Sequence, residues 1–314
     1  MLKFDDNRAL GEVFGEHDRH LARIEKALGV MVSSRGNRVS ITGTSDAKET
    51  ASAVLTNLYE QVRGGHDLND VAVSGAIRTA EARANGGETA DAAIRTRRKT
   101  ILARSPKQAE YITALREQEL VFGLGPAGTG KTFLAVAMGV SLLLEGRVER
   151  IILSRPAVEA GERLGFLPGD IREKVDPYMR PLYDALYHTL PQDRVIKSLD
   201  SGELEIAPLA FMRGRTLSNA FVILDEAQNT TTAQMKMALT RMGEGARMVV
   251  TGDLSQVDLP KGVRSGLAEA IEVLGGMDGV AFVQFSDADV LRHPLVTRIV
   301  KAYQARDTKE NSRG

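Results

Sequence analysis

At 314 residues, with 43% hydrophobic and 26% charged side chains, the chain has the composition of a soluble globular protein of two domains, or of one large domain with an appendage. It has no cysteine, which excludes disulfides and thiolate zinc sites, and its 41 basic and 41 acidic residues cancel, which removes any whole-protein attraction to nucleic acid while leaving room for a local basic patch. The opening Met1-Leu-Lys-Phe-Asp-Asp lacks the basic-then-apolar order of a signal peptide, and the longest apolar run, near Leu134 to Leu144, is too short to span a bilayer, so a cytoplasmic protein with no membrane partner is expected.

In chain order, residues 1–64 form a first α/β unit. Leu2-Lys-Phe-Asp is a short strand. Asn7 to Phe14 and Arg19 to Leu28 have helical apolar spacing, with Leu21, Ile24 and Leu28 on one face. Val30-Met-Val and Val39-Ser-Ile-Thr alternate as strands around a turn at Ser34-Arg35-Gly36-Asn37. Ser45 is expected to cap a last helix, with Lys48 rather than an acid at its third position. The order strand, helix, helix, strand, strand, helix resembles the KH fold of RNA-binding proteins. Gly15-Glu16-His17-Asp18 then stands where a KH domain carries the Gly-x-x-Gly loop that clamps a nucleic-acid backbone. Asp18 replaces the second glycine, and its carboxylate repels phosphate. Two readings stay open: an RNA clamp, and a scaffold used for assembly.

Residues 65–106 are polar, contain Asn85-Gly86-Gly87, and carry the basic run Arg95-Thr-Arg97-Arg98-Lys99. They are expected to be a linker with one helix, whose basic run is either a solvated face or a phosphate contact. From residue 107 the pattern changes. Val121-Phe-Gly-Leu, Ile151-Ile-Leu, Phe221-Val-Ile-Leu, Met248-Val-Val and Val280-Ala-Phe-Val are apolar strands separated by helical segments. That alternation predicts a five-stranded parallel sheet covered on both faces over residues 107–303, followed by a polar tail at 304–314.

Gly125-Pro126-Ala127-Gly128-Thr129-Gly130-Lys131-Thr132 matches the eight-residue P-loop pattern in full, after a strand and before a helix. The glycines let the backbone curl so that several N–H groups face one point, where the helix dipole also points. Lys131 then reaches the β- and γ-phosphates, and Thr132 binds Mg²⁺. Phe221-Val-Ile-Leu-Asp225-Glu226 is a Walker B strand. Its apolar run buries the strand and its carboxylates emerge at the C-terminal end, where parallel sheets bind ligands. Asp225 is expected to hold Mg²⁺ through water, and Glu226 to polarise the attacking water. ATP and Mg²⁺ are the cofactors implied.

Asp225-Glu-Ala-Gln228 with Thr251-Gly-Asp-Leu-Ser-Gln256 resembles motifs II and III of superfamily 1 helicases. Ser154-Arg155-Pro156-Ala-Val-Glu159-Ala-Gly-Glu162, Leu164-Gly-Phe-Leu-Pro-Gly-Asp170, Asp176-Pro-Tyr-Met-Arg180-Pro and Arg213-Gly-Arg215-Thr are similar to segments of one family, the PhoH-like ATPases, over about residues 107–303. The resemblance implies a RecA-like fold, in which the fourth strand lies between the P-loop and Walker B strands and aims Thr251, Asp253 and Gln256 at the γ-phosphate. It implies that Gln108 reads the adenine edge, a plain exposed glutamine being the alternative. It places Arg155, Arg213 and Arg215 on segments that contact single strands in helicases, with carboxylate pairing to Glu159 or Glu162 equally open. Lys131, Glu226 and Gln256 are the catalytic residues it implies, with RNA, an RNA-processing endoribonuclease or a ribosome-maturation factor as partner.

A superfamily 1 motor closes its site between two RecA-like domains. This chain has room for one after residue 107. The missing charge is therefore expected from this chain's own tail or from an arginine of a neighbouring copy, with Arg264, Arg292 and Arg298 as candidates and, for the latter, a head-to-tail ring, a hexamer, as the assembly. Each of these arginines is otherwise a surface ion-pair partner. Two functions follow: an ATPase acting on RNA or ribonucleoprotein, and a nucleotide-gated module that switches an RNA-processing partner with little turnover.

Overall fold

The computed structural model describes residues 2–64, 68–84, 93–98, 100–156, 171–290, 296 and 299. The first unit has the expected order: β1 (Leu2–Lys3), α1 (Asn7–Phe14), α2 (Arg19–Leu28), β2 (Met31–Arg35), β3 (Arg38–Thr42) and α3 (Ser45–Arg63). Its antiparallel sheet runs β1-β3-β2. Asp6 caps α1 by accepting from the Arg8 and Ala9 amides. The α3 cap is Thr44, not Ser45. Thr44 is still extended as it leaves the sheet, so its hydroxyl faces the Ala47 amide, and Ser45 is already helical.

The helix expected between residues 65 and 106 is α4 (Asp70–Ala84). It is not a tether: Val73, Ala76, Ile77 and Ala80 are buried in the same core as Leu10, Val13, Ile24, Val54 and Leu58. Arg23 of α2 also pairs with Asp70 and donates to Ser74. The hairpin β4 (Ala93–Arg95) and β5 (Thr100–Leu102) then passes to the second core, where Ile94 and Ile101 are buried. The basic run lies largely on its turn, and Arg98 donates to the Tyr187 carbonyl at 2.5 Å. Lys99 lies outside the described residues.

After α5 (Pro106–Glu117), β6 (Leu120–Leu124) opens the large sheet. It continues with α6 (Lys131–Leu144), β7 (Arg150–Arg155), α7 (Ile171–Thr189), α8 (Gln192–Asp200), β8 (Leu204–Pro208), β9 (Ala220–Leu224), α9 (Thr232–Leu239), β10 (Arg247–Gly252), α10 (Gly266–Leu274) and β11 (Val280–Gln284). All strands are parallel, in the order β11-β6-β10-β9-β7-β8. The sheet therefore has six strands, not the expected five. The sixth is β8, Leu-Glu-Ile-Ala-Pro, an edge strand whose charged residue and terminal proline break the apolar run that marked the others. The fourth of the expected strands, β10, lies between β6 and β9, as the family resemblance implied.

The central strands are buried on both faces. On β9, Phe221 and Ile223 join the core under α5, α6 and α7, while Val222 and Leu224 join the core under α9 and α10. This two-sided burial explains why the strands read as continuous apolar runs. At the C-terminal strand ends the polar side chains of Asp225, Thr251 and Arg155 come together. Helix α6 crosses β9 so closely that a Cβ on Gly139 would lie 2.7 Å from Phe221 Cδ1. We expect Gly139→Leu to cost roughly 1–3 kcal/mol of unfolding free energy through overpacking. Urea denaturation checks this, and an unchanged midpoint would refute the close approach.

Candidate active site

Strand β6 ends at Leu124, and the loop to α6 turns back over the strand tips. Gly125 has φ 125°, and a side chain there would strike the Phe285 carbonyl, so only glycine fits. Gly130, at φ 87°, is the residue from which α6 starts, with the Leu134 amide donating to its carbonyl at 2.8 Å. The loop is pinned at both ends. Gly125 N donates to the Gly252 carbonyl of β10 at 3.0 Å, and the Thr129 hydroxyl to the Pro126 carbonyl at 3.0 Å. Lys131 Nζ donates to the Gly125 and Pro126 carbonyls at 2.6 and 2.8 Å. Its ammonium is thus held over the centre of the loop and 8% exposed.

Gln108 is not an exposed glutamine. It is 3% exposed, its Nε2 donates to the Thr129 carbonyl at 2.9 Å, and its Oε1 accepts from the Arg104 amide at 2.8 Å. Ser105 caps α5 and accepts from the Gln108 amide. The side chain therefore ties the start of α5 to the P-loop.

The Walker B carboxylates follow β9 directly. Asp225 is 2% exposed. Its Oδ1 accepts from Thr132 Oγ1 at 2.7 Å and Thr251 Oγ1 at 2.5 Å, and its Oδ2 from Arg155 Nε at 2.8 Å and Nη2 at 2.5 Å. Glu226 turns the other way because its backbone is left-handed, φ 53° and ψ 38°, a costly conformation for a residue with a side chain. Its carboxylate is 46% exposed and accepts from Gln228 Nε2 at 2.6 Å. Gln228 Oε1 accepts in turn from the Asp253 amide at 3.1 Å. One buried amide therefore joins the Walker B loop to the tip of β10.

At that tip Asp253 accepts from the Ser255 amide and hydroxyl and from Gln256 Nε2, the last at 2.6 Å. Burial pushes the Asp253 carboxyl up, but these hydrogen bonds and the Lys131 charge outweigh it and hold it below its ordinary range. Gln256 itself is exposed. Beside β6, burial, and then the Asp225 charge, raise the Tyr111 hydroxyl well above its ordinary value.

Lys131, Thr132, Arg155, Asp225, Glu226, Asp253 and Gln256 line one cavity of about 400 Å³. Its far wall was not expected. Pro181, Asp184, Ala185 and His188 of α7 face it, and His188 stacks edge-on to Phe133 with ring centroids 6.4 Å apart. Those four residues are spaced i, i+3, i+4, i+7, which marks one helix face but not what it faces.

The structure separates the arginines. Arg155 lies on Asp225, and Arg215 forms a two-point pair with Glu205 at 2.6 and 2.7 Å, which lowers the Glu205 carboxyl pKa. Arg213 is exposed. Glu159 and Glu162 lie outside the described residues. Arg264 is exposed and paired with Glu272. Arg292 and Arg298 lie outside the described residues.

A parallel sheet whose central strands are buried on both faces, with a glycine-bent loop after β6 and a carboxylate at the end of β9, two strands away with β10 between, is the RecA-like P-loop class. The PhoH-like protein family matches residues 100–304. The chain is 48% identical to a PhoH-like protein of Bacillus subtilis (strain 168) over 93% of this chain and 92% of that one. It is 47% identical to a PhoH-like protein of Mycobacterium tuberculosis (strain ATCC 25618 / H37Rv), over 93% and 84% of the two chains. To Protein PhoH of Escherichia coli (strain K12) it is 47% identical over 69% and 63%. The chain belongs to the PhoH-like family. Among the described residues, no helix is long and apolar enough to cross a membrane.

Asp225 sits at the centre of this arrangement, and Thr251 is one of three side chains that satisfy it. Thr251→Val keeps the shape and removes one hydrogen bond to a buried charge. A loss of about 1.5–3 kcal/mol is expected, read from urea unfolding at pH 7; a loss below the error of the fit would show that the hydroxyl does not matter.

Proposed function

We propose that the protein binds Mg·ATP in this cavity and hydrolyses it. The observation that carries the reading is the convergence of a glycine-bent loop, a helix N-terminus and Lys131 on one point, with Thr132 and Asp225 2.7 Å apart beside it. Thr132 Oγ1 and Asp225 are hard oxygen donors, which suits Mg²⁺ better than a softer metal. When bound, Mg²⁺ would neutralise developing phosphate charge. The protein's own groups do the rest. Loop amides and Lys131 bind the phosphates. Glu226, half-exposed and oriented by Gln228, takes a proton from water. Gln256, Thr251 and Asp253 answer to the terminal phosphate.

Lys131→Ala should abolish tight ATP binding, and Glu226→Gln should retain binding and lose turnover, since an amide is no base. Isothermal titration and phosphate release separate the two effects. Wild-type turnover by Glu226→Gln would sink the catalytic assignment. Gln108 serves the loop first; reading adenine requires trading its bonds to Thr129 and Arg104 for the base edge. Competition between ATP and GTP, before and after Gln108→Ala, measures that exchange, and equal affinities throughout mean that the amide stays on the loop.

The Glu226 side chain in the cavity lining is 46% exposed, which supports completion by a neighbouring copy in a head-to-tail oligomer. Arg264, exposed beside Glu272, is a candidate finger within the described residues, while Arg292 and Arg298 remain candidates outside them. A finger variant and Lys131→Ala, each nearly inactive alone, should recover activity when mixed. The arginine effect measured in other NTPases is on the order of 10³–10⁵ in rate. Full turnover by a diluted monomer, with no recovery on mixing, would end the oligomer reading.

RNA or ribonucleoprotein is the proposed target, supported by the helicase-like spacing of Asp225 to Gln228 and Thr251 to Gln256. The exposure of Glu226 also supports a second reading, a nucleotide-gated switch for an RNA-processing partner. Turnover with and without RNA distinguishes the two.

A further inference from the structure

Arg155 holds the second oxygen of the Asp225 carboxylate. It is the last residue of β7, and β7 pairs with β9 so that Ser154 lies beside Leu224, which places Arg155 next to Asp225. The pair is tight and sheltered: both Nε and Nη2 reach Oδ2, with the Arg155 side chain 15% exposed and that of Asp225 3% exposed. A buried carboxylate without a counter-charge is costly. Thr132 and Thr251 satisfy Oδ1 but bring no charge, whereas Arg155 brings a positive charge to Oδ2. Among the described residues, Glu226 is also near, with Oε1 3.8 Å from Nη2.

We propose that Arg155 is a built-in counter-ion that competes with Mg²⁺ for Asp225, so that the metal enters only together with phosphates. The inference rests on the reading of Asp225 as the metal carboxylate. A divalent ion arriving alone meets a carboxylate whose charge is already cancelled and a guanidinium that repels it. Beside Oδ1 it meets the Thr132 hydroxyl as a metal-type donor, and the carboxylate it would share is already charge-paired. Triphosphate changes the balance. It brings oxygens for the metal and negative charge that draws Arg155 off Oδ2, toward Glu226 or the phosphates. Arg155 is thus a positioning residue that links metal entry to nucleotide entry.

The test is a Mn²⁺ titration followed by electron paramagnetic resonance, with Mn²⁺ alone and with a non-hydrolysable ATP analogue. The wild-type protein should bind Mn²⁺ weakly alone and tightly with the analogue. Arg155→Gln should raise affinity for Mn²⁺ alone by roughly ten- to a hundredfold, the effect of removing one nearby like charge, while changing affinity with the analogue much less. Arg155→Lys, which keeps a charge, should stay near wild type. An Arg155→Gln affinity for Mn²⁺ alone equal to or weaker than wild type overturns the proposal, as does a lysine variant that behaves like the glutamine one. Asp225→Asn is the control: if it leaves analogue-dependent Mn²⁺ binding intact, the metal reading itself fails and the inference falls with it. Should Arg155→Gln not fold, the wild-type protein answers directly. The Arg155 Nε–H resonance, assigned by its loss in Arg155→Lys, should lose protection from solvent exchange when Mg²⁺ and the analogue are added; unchanged protection at saturation overturns the proposal.

Discussion

The Asp225 carboxylate accepts hydrogen bonds from the start of α6, the tip of β10 and the end of β7, through Thr132, Thr251 and Arg155. A buried charge tolerates little error in its surroundings, because each unmet lone pair costs the full price of desolvation. Three elements remote in sequence must therefore arrive in register for β9 to end where it does. The parallel ladder supplies that register: Val250 opposite Leu224, Ser154 opposite Leu224, and Gly252 opposite Leu124. The geometry at the strand ends is a consequence of this constraint.

The same requirement explains the strain at Glu226. With Asp225 turned inward and the chain due to enter the turn at Ala227–Asn229, the next residue takes a left-handed backbone to aim its carboxylate outward. Gln228, 1% exposed, stabilises that choice by donating to Glu226 and accepting from Asp253. Two acids adjacent in the chain thus face different environments, one charge-paired and buried, the other half in solvent. Such separation is what allows neighbouring carboxylates to have different tasks.

Packing and chemistry share the same residues elsewhere. Gly125 permits contact with Phe285, whose amide donates to Leu124 at 2.7 Å, so the edge strand β11 also supports the P-loop. Gln108 joins α5 to that loop from the other side. In the first unit, α4 completes the core beneath α2 and α3. Its apolar residues looked weak beside the surrounding glycines and charges, and only contact with a waiting apolar surface gave them weight.

Much of this was legible in one dimension. The P-loop string, the apolar strands on either side of it, the Asp225-Glu226 pair and the order of elements in residues 2–63 are local patterns, and local patterns follow from backbone geometry and burial on both faces of a sheet. Strand β8 was not legible, because an edge strand needs only one buried face and Glu205 and Pro208 hid it. The partner of Arg155 was not legible either: an arginine 70 residues before an aspartate carries no sign of it until β7 and β9 pair. Nor was the role of α7, whose one-sided stripe shows a face but not a neighbour. Sequence determined most of the strands and the glycine-bent loop between β6 and α6, since those depend on chain stereochemistry and side-chain type. Tertiary structure alone decided which cation meets which carboxylate, because that depends on strand order, and strand order is set by packing across the whole sheet.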